Sequence, residues 1–260
     1  MIPPVLLRQE LRVALEAADA ADAVTALRFR AHDLAVDVKS DATPVSEADR
    51  NAEQAIRRVL ERAFPADAIL GEEYGEETRA GRRWIVDPID ATVNYIRGVP
   101  VWGTLIALEA DGVIVVGVVS APALGARWWA ARGSGAWHNA SKIAVSSVGS
   151  LADAHLSFNS LLSCEAAGFG DEARELSRRC GRTRGFGDFW SFMLLAEGAV
   201  DVVVEPVAAI WDLAPLQVIV EEAGGQMTDR SGRRAVDGGN AVATNGLLHD
   251  AVMSIVGSKV

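Results

Sequence analysis

The sequence is poor in lysine and cysteine and has no long hydrophobic run. Three lysines and two cysteines occur among 260 residues, and 35 acidic against 25 basic residues give a net charge of −10. An acidic surface repels phosphate backbones, which argues against a nucleic-acid partner. Cys164 and Cys180 form neither a metal-binding nor a disulfide pattern, as is typical of proteins in a reducing compartment.

Membrane insertion and secretion are also disfavoured. No apolar stretch reaches the ~18 residues that a membrane span needs. The N-terminal segment contains acidic residues where a signal peptide would be apolar. We therefore expect a cytoplasmic globular protein with no membrane partner.

Hydrophobic periodicity predicts helices and a hairpin in the first half of the chain. Residues 5–30 have apolar positions at helical spacing. Ser46 with Asp49 three positions later is a capping-box pattern, which predicts a second helix. The Asp111-Gly112 pair between two apolar runs predicts a β-hairpin.

The second half alternates between strands and helices, without repeats or linkers. An antiparallel-rich first half and an alternating second half predict layered α/β sheets. We expect a single fold over residues 1–260, with sub-domains of about 1–145 and 146–260.

Acidic residues stand at the ends of four predicted elements. They are Glu72-Glu73, Asp87 with Asp90, Asp49, and Asp212. Taken singly, each could be a solvated turn or a helix cap. However, Asp87 and Asp90 both follow the apolar run WIV, and like charges held a few Å apart repel unless a cation is present. Oxygen ligands without His or Cys favour Mg²⁺, but spacing alone does not bring Asp212 to the others.

Three ordered motifs provide a more specific signal. Gly71-Glu72-Glu73, DPIDATVNY (87–95) and WDLAPLQVIVEEAGG (211–225) resemble the signatures of the inositol monophosphatase family. The resemblance runs from about Lys39 to Asn245. It implies an α/β (α+β) fold, a five-layer αβαβα sandwich like that of fructose-1,6-bisphosphatase. It also implies a homodimer that hydrolyses phosphate monoesters with two or three Mg²⁺ ions per site.

The resemblance also implies which residues hold the metals. Glu72, Asp87 and the backbone carbonyl of Ile89 would hold one ion. Asp87, Asp90 and Asp212 would hold a second. One metal would lower the pKa of the attacking water and the other would stabilise the departing alkoxide, in an in-line displacement without a phosphoenzyme.

Further roles follow for the residues around these ligands. Thr92, with Asp49 and Glu72, would orient and help to deprotonate the attacking water. The amides of Ala91 and Thr92, at the start of a short helix, would receive the phosphate oxygens. The family has Gly at the position of Ala91. A positive φ there would make the methyl group cost ~1 kcal/mol or more and slow turnover, whereas a helical backbone would make it harmless. We expect the change to be tolerated.

Other segments indicate the substrate. Within the family, Asn94 resembles the enzymes that act on sugar, inositol and histidinol phosphates rather than the nucleotide-directed members. Stretches such as VVSAPALGARWWAARGSGAW (118–137) and FGDF (186–189) are most similar to actinobacterial histidinol-phosphate phosphatases. Asp188 and Glu205 are candidates to bind the ammonium group of histidinol through charge-assisted hydrogen bonds. Asp188 could instead cap the following helix, and Glu205 could be a surface charge at the end of a strand.

We therefore expect Mg²⁺-dependent hydrolysis of L-histidinol phosphate to L-histidinol and phosphate. Inositol 1-phosphate, or a related cyclitol, sugar or nucleoside monophosphate, is an alternative substrate. A metal- or ligand-binding protein with little catalytic activity is a second alternative.

Overall fold

The computed structural model describes residues 7–39, 43–76 and 81–257. The helices in these ranges are α1 (Arg8–Arg28), α2 (Glu47–Ala63), α3 (Thr92–Ile96), α4 (Leu161–Ala166), α5 (Gly170–Arg179), α6 (Asp188–Ala196), α7 (Ile210–Glu222) and α8 (His249–Val256). The strands are β1 (Val36–Val38), β2 (Pro44–Ser46), β3 (Ala68–Gly71), β4 (Gly75–Glu76), β5 (Arg83–Asp90), β6 (Gly103–Ala110), β7 (Val113–Ala121), β8 (Ala126–Ala131), β9 (Ala136–His138), β10 (Ser141–Ile143), β11 (His155–Phe158), β12 (Arg182–Arg184), β13 (Val202–Glu205), β14 (Gln226–Thr228) and β15 (Ala241–Thr244).

The first half of the chain builds a large sheet of order β10-β9-β8-β7-β6-β5-β3-β4. Its pairs are antiparallel except β3 with β5, which run parallel. The predicted hairpin is confirmed: Asp111 and Gly112 join β6 to β7 with φ of 53° and 74°. Both residues are left-handed, as the favoured two-residue hairpin turn requires.

The second half builds a smaller sheet of order β12-β11-β13-β15-β14. β11 runs parallel to both β12 and β13, whereas β15 is antiparallel to β13 and β14. A parallel pair needs a crossover connection: α4 and α5 lie between β11 and β12 in the chain, and α6 follows β12 before the chain returns to β13 on the other side of β11.

Three apolar clusters define the layers. α1 and α2 cover one face of the large sheet, with Ala17, Ile56 and Ile106 in their shared core. α6 and α7 fill the space between the two sheets. α5 and α8 cover the outer face of the small sheet, where Leu176 and Val252 are buried. The order helix–sheet–helix–sheet–helix confirms the predicted five-layer sandwich.

Local signals explain where α2 begins. The Ser46 side chain accepts from the amide of Ala48, and Asp49 accepts from the amide of Ser46, which completes the predicted capping box. The cluster between the sheets contains residues from both halves of the chain, so the two halves share a core. The sub-domain boundary near residue 145 stays a prediction. Within the described residues, no helix has the length and apolar character of a membrane span.

Candidate active site

A bulge at the end of β5 positions the first two carboxylates. Asp87 is paired with Leu105 and Asp90 with Gly103, so two residues of β5 oppose one residue of β6. One of the two is Pro88, which has no N–H to continue the ladder. The carbonyl of Pro88 instead accepts the Thr104 hydroxyl at 2.8 Å. The strand therefore bends at the point where both carboxylates emerge.

The third carboxylate comes from the first turn of α7. Asp212 Oδ2 accepts the amide of Ala209 at 2.8 Å, which satisfies a free N–H of the helix and fixes the side chain. Asp87, Asp90 and Asp212 each place an oxygen within 4.8 Å of the other two. The structure thus makes the connection that spacing alone could not provide.

The electrostatics of this cluster favour a cation. Burial, followed by the charges of Glu72, Asp90 and Asp212, raises the pKa of Asp87 well above its ordinary value. Burial and the neighbouring Asp188 and Asp212 do the same to the pKa of Asp90. Burial first, with neighbouring carboxylates adding to it, raises the pKa of Asp212 to about 6. Three converging hard oxygen donors that repel one another fit a divalent ion such as Mg²⁺.

Glu72 lies beside this cluster. Its amide donates to the carbonyl of Val86 at 3.2 Å, directly before Asp87. Its carboxylate forms an ion pair of 2.7 Å with Lys39, whose ammonium also contacts Glu73 at 2.6 Å. Burial opposes the charge on Lys39, but the hydrogen bonds to both glutamates outweigh it and raise the pKa of Lys39. Sequence reasoning did not identify Lys39 as a partner of these acids.

Thr92 and Asp49 meet next to the carbonyl of Ile89. The Thr92 hydroxyl lies 2.9 Å from that carbonyl oxygen and 3.3 Å from Asp49 Oδ1. Asp49 is fully buried, and its Oδ2 accepts from both the amide and the hydroxyl of Ser46. Burial raises the pKa of Asp49, although these hydrogen bonds oppose the rise. The predicted pairing of Thr92 with Asp49 is therefore present, while the role of Ile89 as a ligand stays a prediction.

Ala91 has a left-handed backbone, with φ 65° and ψ 47°. The alternative of a helical backbone, in which the methyl group would be harmless, is therefore wrong, because a residue with a Cβ loses roughly 1–2 kcal/mol in this region. That the change is tolerated in turnover stays a prediction. The helix that follows anchors this residue: the carbonyl of Ala91 accepts the amide of Tyr95 at 3.1 Å, and Tyr95 donates its hydroxyl to the carbonyl of Thr25 at 2.7 Å. The amides of Ala91 and Thr92 remain predicted phosphate contacts.

Asp188 and Glu205 line one pocket together with Asp90 and Asp212. Glu205 ends β13 and is only 7% exposed, so it is not a surface charge. Burial, then the neighbouring Asp188 and Asp212, raises the pKa of Glu205 to about 8, against a hydrogen bond from Asn159 that lowers it. Burial also raises the pKa of Asp188.

The alternative role of Asp188 as a helix cap is not what the structure shows. The amide of Phe189, in the first turn of α6, donates to Asp90 Oδ2 at 2.8 Å. Asp188 itself has a left-handed φ of 48°. It therefore stands at the start of α6 in a strained conformation, next to the carboxylate cluster. Asn159, in the same pocket wall, carried no signal in the sequence that would have identified it.

Comparison with known proteins agrees with this architecture. A model of the inositol monophosphatase family matches residues 6–259. The histidinol-phosphatase of Mycobacterium tuberculosis is 51% identical over 251 residues, which cover 94% of this chain and 96% of that protein. The histidinol-phosphatase of Streptomyces coelicolor is 49% identical, with coverage of 96% and 97%. Among solved structures, the IMPase of Thermotoga maritima matches with a TM-score of 0.85 and 32% identity, and the match covers 95% of this chain and 96% of that one.

Proposed function

This chain belongs to the inositol monophosphatase family, and we propose that it hydrolyses L-histidinol phosphate to L-histidinol and phosphate. Relatives named histidinol-phosphatase, about half identical over nearly the whole chain, support this substrate. The family consists of metal-dependent phosphoric monoester hydrolases.

The observation that carries the choice of substrate is the pair Asp188 and Glu205. Both carboxylates are largely buried in the pocket that contains Asp90 and Asp212. A buried carboxylate without a cation is unfavourable, and a substrate ammonium group relieves that cost through charge-assisted hydrogen bonds. The uncharged ring of inositol would leave both carboxylates without a counter-charge.

We propose Mg²⁺ as the cofactor, held by Asp87, Asp90 and Asp212, with Glu72 and the carbonyl of Ile89 completing a second position. When bound, two or three such ions acidify water and neutralise charge on the phosphoryl and leaving oxygens. The carboxylates contribute orientation, because each of three has one oxygen fixed by a backbone amide: Asp87 by Ile89 at 2.9 Å, Asp90 by Phe189, and Asp212 by Ala209.

The remaining residues handle the proton and the phosphate. Thr92 Oγ donates to Asp49 or to the carbonyl of Ile89, so its lone pairs face outward to accept a hydrogen bond from the attacking water. Asp49 is the acceptor for the displaced proton. The amides of Ala91 and Thr92 orient the phosphate, and Asp188 with Glu205 orients the amine end of the substrate.

Phosphate release tests this proposal directly. L-Histidinol phosphate and inositol 1-phosphate are compared side by side, each with Mg²⁺ and with EDTA. We expect rapid Mg²⁺-dependent release from histidinol phosphate, and loss of that release in Asp87→Asn, with circular dichroism unchanged. Preferential hydrolysis of inositol 1-phosphate, or equal rates with EDTA, would refute it.

We also propose that the protein is a homodimer, a proposal supported only by the family resemblance. Light scattering during gel filtration measures the mass of the particle in solution. A mass of twice the 27.6 kDa of the chain supports the dimer, and a mass equal to that of one chain contradicts it.

A further inference from the structure

Glu53 is a fully buried carboxylate to which no role has been assigned. It lies on α2, four residues after Asp49, so the two acids share a helix face. Its Oε1 accepts Nε of Arg57 at 2.8 Å, one turn further along, and its side chain has no exposed area. Burying an ion pair carries a large desolvation cost. Additional hydrogen bonds must offset that cost.

Those hydrogen bonds all go to one turn. Glu53 Oε2 accepts the amide of Glu73 at 2.8 Å, and Oε1 accepts the amide of Tyr74 at 3.3 Å. Arg57 donates to the carbonyl of Gly75 at 2.7 Å. The buried pair therefore binds three consecutive residues: Glu73 and Tyr74 in the turn after β3, and Gly75 at the start of β4.

Gly71, at the start of this turn, is fitted to the same carboxylate. A Cβ atom at position 71 would lie 2.0 Å from Glu53 Oε1 and 2.3 Å from its Cδ, which is far inside van der Waals contact. The backbone of β3 thus packs directly on the carboxylate. Any side chain at position 71 would displace Glu53.

Glu72 lies between Gly71, whose backbone packs on Glu53, and Glu73, whose amide donates to Glu53. Its own amide is bound to the carbonyl of Val86, and the next amide, that of Glu73, is bound to Glu53. With both peptide units fixed, the Glu72 side chain leaves the backbone in a set direction, towards Asp87. We propose that Glu53 is a positioning residue that fixes the β3–β4 turn so that the Glu72 carboxylate is preorganised for metal binding. This rests on the proposed function, in which Glu72 is a ligand.

The test is Mg²⁺ binding by calorimetry, with urea unfolding measured alongside. In Glu53→Gln, the new NH₂ group must face either the amide of Glu73 or the two donors on Oε1, which are Nε of Arg57 and the amide of Tyr74, so at least one hydrogen bond is lost. We expect Mg²⁺ affinity to fall about tenfold or more, the equivalent of one charge-assisted hydrogen bond. The matched control is Glu109→Gln, which removes a Glu–Arg pair with Arg83 at the other end of β5. It should reduce stability and leave Mg²⁺ affinity unchanged.

A second variant provides the test if Glu53→Gln does not fold. Gly71→Ala retains both the Glu53 and Arg57 side chains but pushes the Glu53 carboxylate away from the turn, and it should also weaken Mg²⁺ binding. Adding Gly71→Ala to Glu53→Ala should have no further effect, because the atom it collides with is gone.

Unchanged Mg²⁺ affinity in folded Glu53→Gln or Gly71→Ala would overturn the inference and leave Glu53 with a purely structural role. Absence of Mg²⁺ binding and of phosphate release in the unmodified protein would instead refute the proposed function. The two failures are therefore distinguishable.

Discussion

Glu205 should make the protein less stable as pH rises, which is the opposite of the effect of a carboxylate held in an ion pair. Its pKa is raised from 4.5 to about 8, first by burial and then by Asp188 and Asp212. Between these values the folded protein holds a proton that the unfolded chain has released. The contribution of Glu205 to stability is therefore most favourable at low pH and is lost as pH rises from about 4.5 to 8. At ~1.4 kcal/mol per pH unit the full effect is at most ~5 kcal/mol.

Glu205→Gln removes this dependence. The amide and the neutral carboxyl have similar costs of burial, so we expect little change near pH 4.5 and a gain of up to ~5 kcal/mol at pH 8.5, where the carboxyl of the unmodified protein is charged. The assay is urea unfolding in EDTA at several pH values, extrapolated to zero denaturant. Glu61→Gln, at an exposed position of α2, is the control and should shift stability by less than ~0.5 kcal/mol at each pH. A difference between Glu205→Gln and the unmodified protein that does not vary with pH would refute the reasoning.

Kinetics separate the recognition role of Glu205 from its effect on stability. Removing one charge that binds an ammonium group should raise KM for L-histidinol phosphate by about 10- to 100-fold. The residual rate with inositol 1-phosphate should change much less, since that substrate has no cation at this position. Equal losses with both substrates would show that Glu205 does not recognise the amine.

Three further substitutions test the rest of the site. Ala91→Gly relieves the left-handed backbone and should stabilise the protein by ~1 kcal/mol; an unchanged or lower melting temperature would contradict the strain. Asp212→Asn should lower Mg²⁺-dependent phosphate release by about 10³-fold. Urea unfolding of the metal-free Asp212→Asn protein at pH 8 should show a gain in stability of ~1–3 kcal/mol. The reason is that the pKa of Asp212 is about 6 in the folded protein, so folding at pH 8 buries a carboxylate charge that the amide lacks. Reduced stability of this variant would contradict the unfavourable charge at position 212. Thr92→Val should lower kcat by about 100-fold, and Thr92→Ser should restore most of it; a rate unaffected by Thr92→Val would remove Thr92 from proton transfer.

The parts of the site that could be predicted are those set by local sequence. Asp87 and Asp90 are three residues apart around Pro88, and the proline itself causes the bulge that brings both carboxylates to one place. The capping box of Ser46 and Asp49 is equally local. Asp212 is 122 residues away from Asp90, and only the resemblance to a known family indicated that it would join them.

The parts that could not be predicted depend on tertiary packing. Glu53 followed by Arg57 four residues later has the pattern of a solvent-exposed helical ion pair. The structure buries both because the β3–β4 turn lies across them. The local sequence does not predict which face of α2 the β3–β4 turn covers. Lys39 is a similar case, since it reaches Glu72 across 33 positions of the chain.

At Ala91 the backbone conformation that the residue type favours differs from the one that the site requires. Alanine is the best helix former, and the residue precedes a helix, so local propensity favours a right-handed backbone. However, the chain must turn from the bulge at Asp90 into α3 while it presents the amide of Thr92 and keeps the Thr92 hydroxyl near Asp49. The left-handed conformation meets those requirements at a cost of roughly 1–2 kcal/mol. Asp188 also has a left-handed φ, and it lines a pocket with Asp90, the residue directly before Ala91. Strained backbone and carboxylates of raised pKa thus occur together where cations are expected to bind. The repulsion among these carboxylates destabilises the empty site, and a bound cation would remove that repulsion.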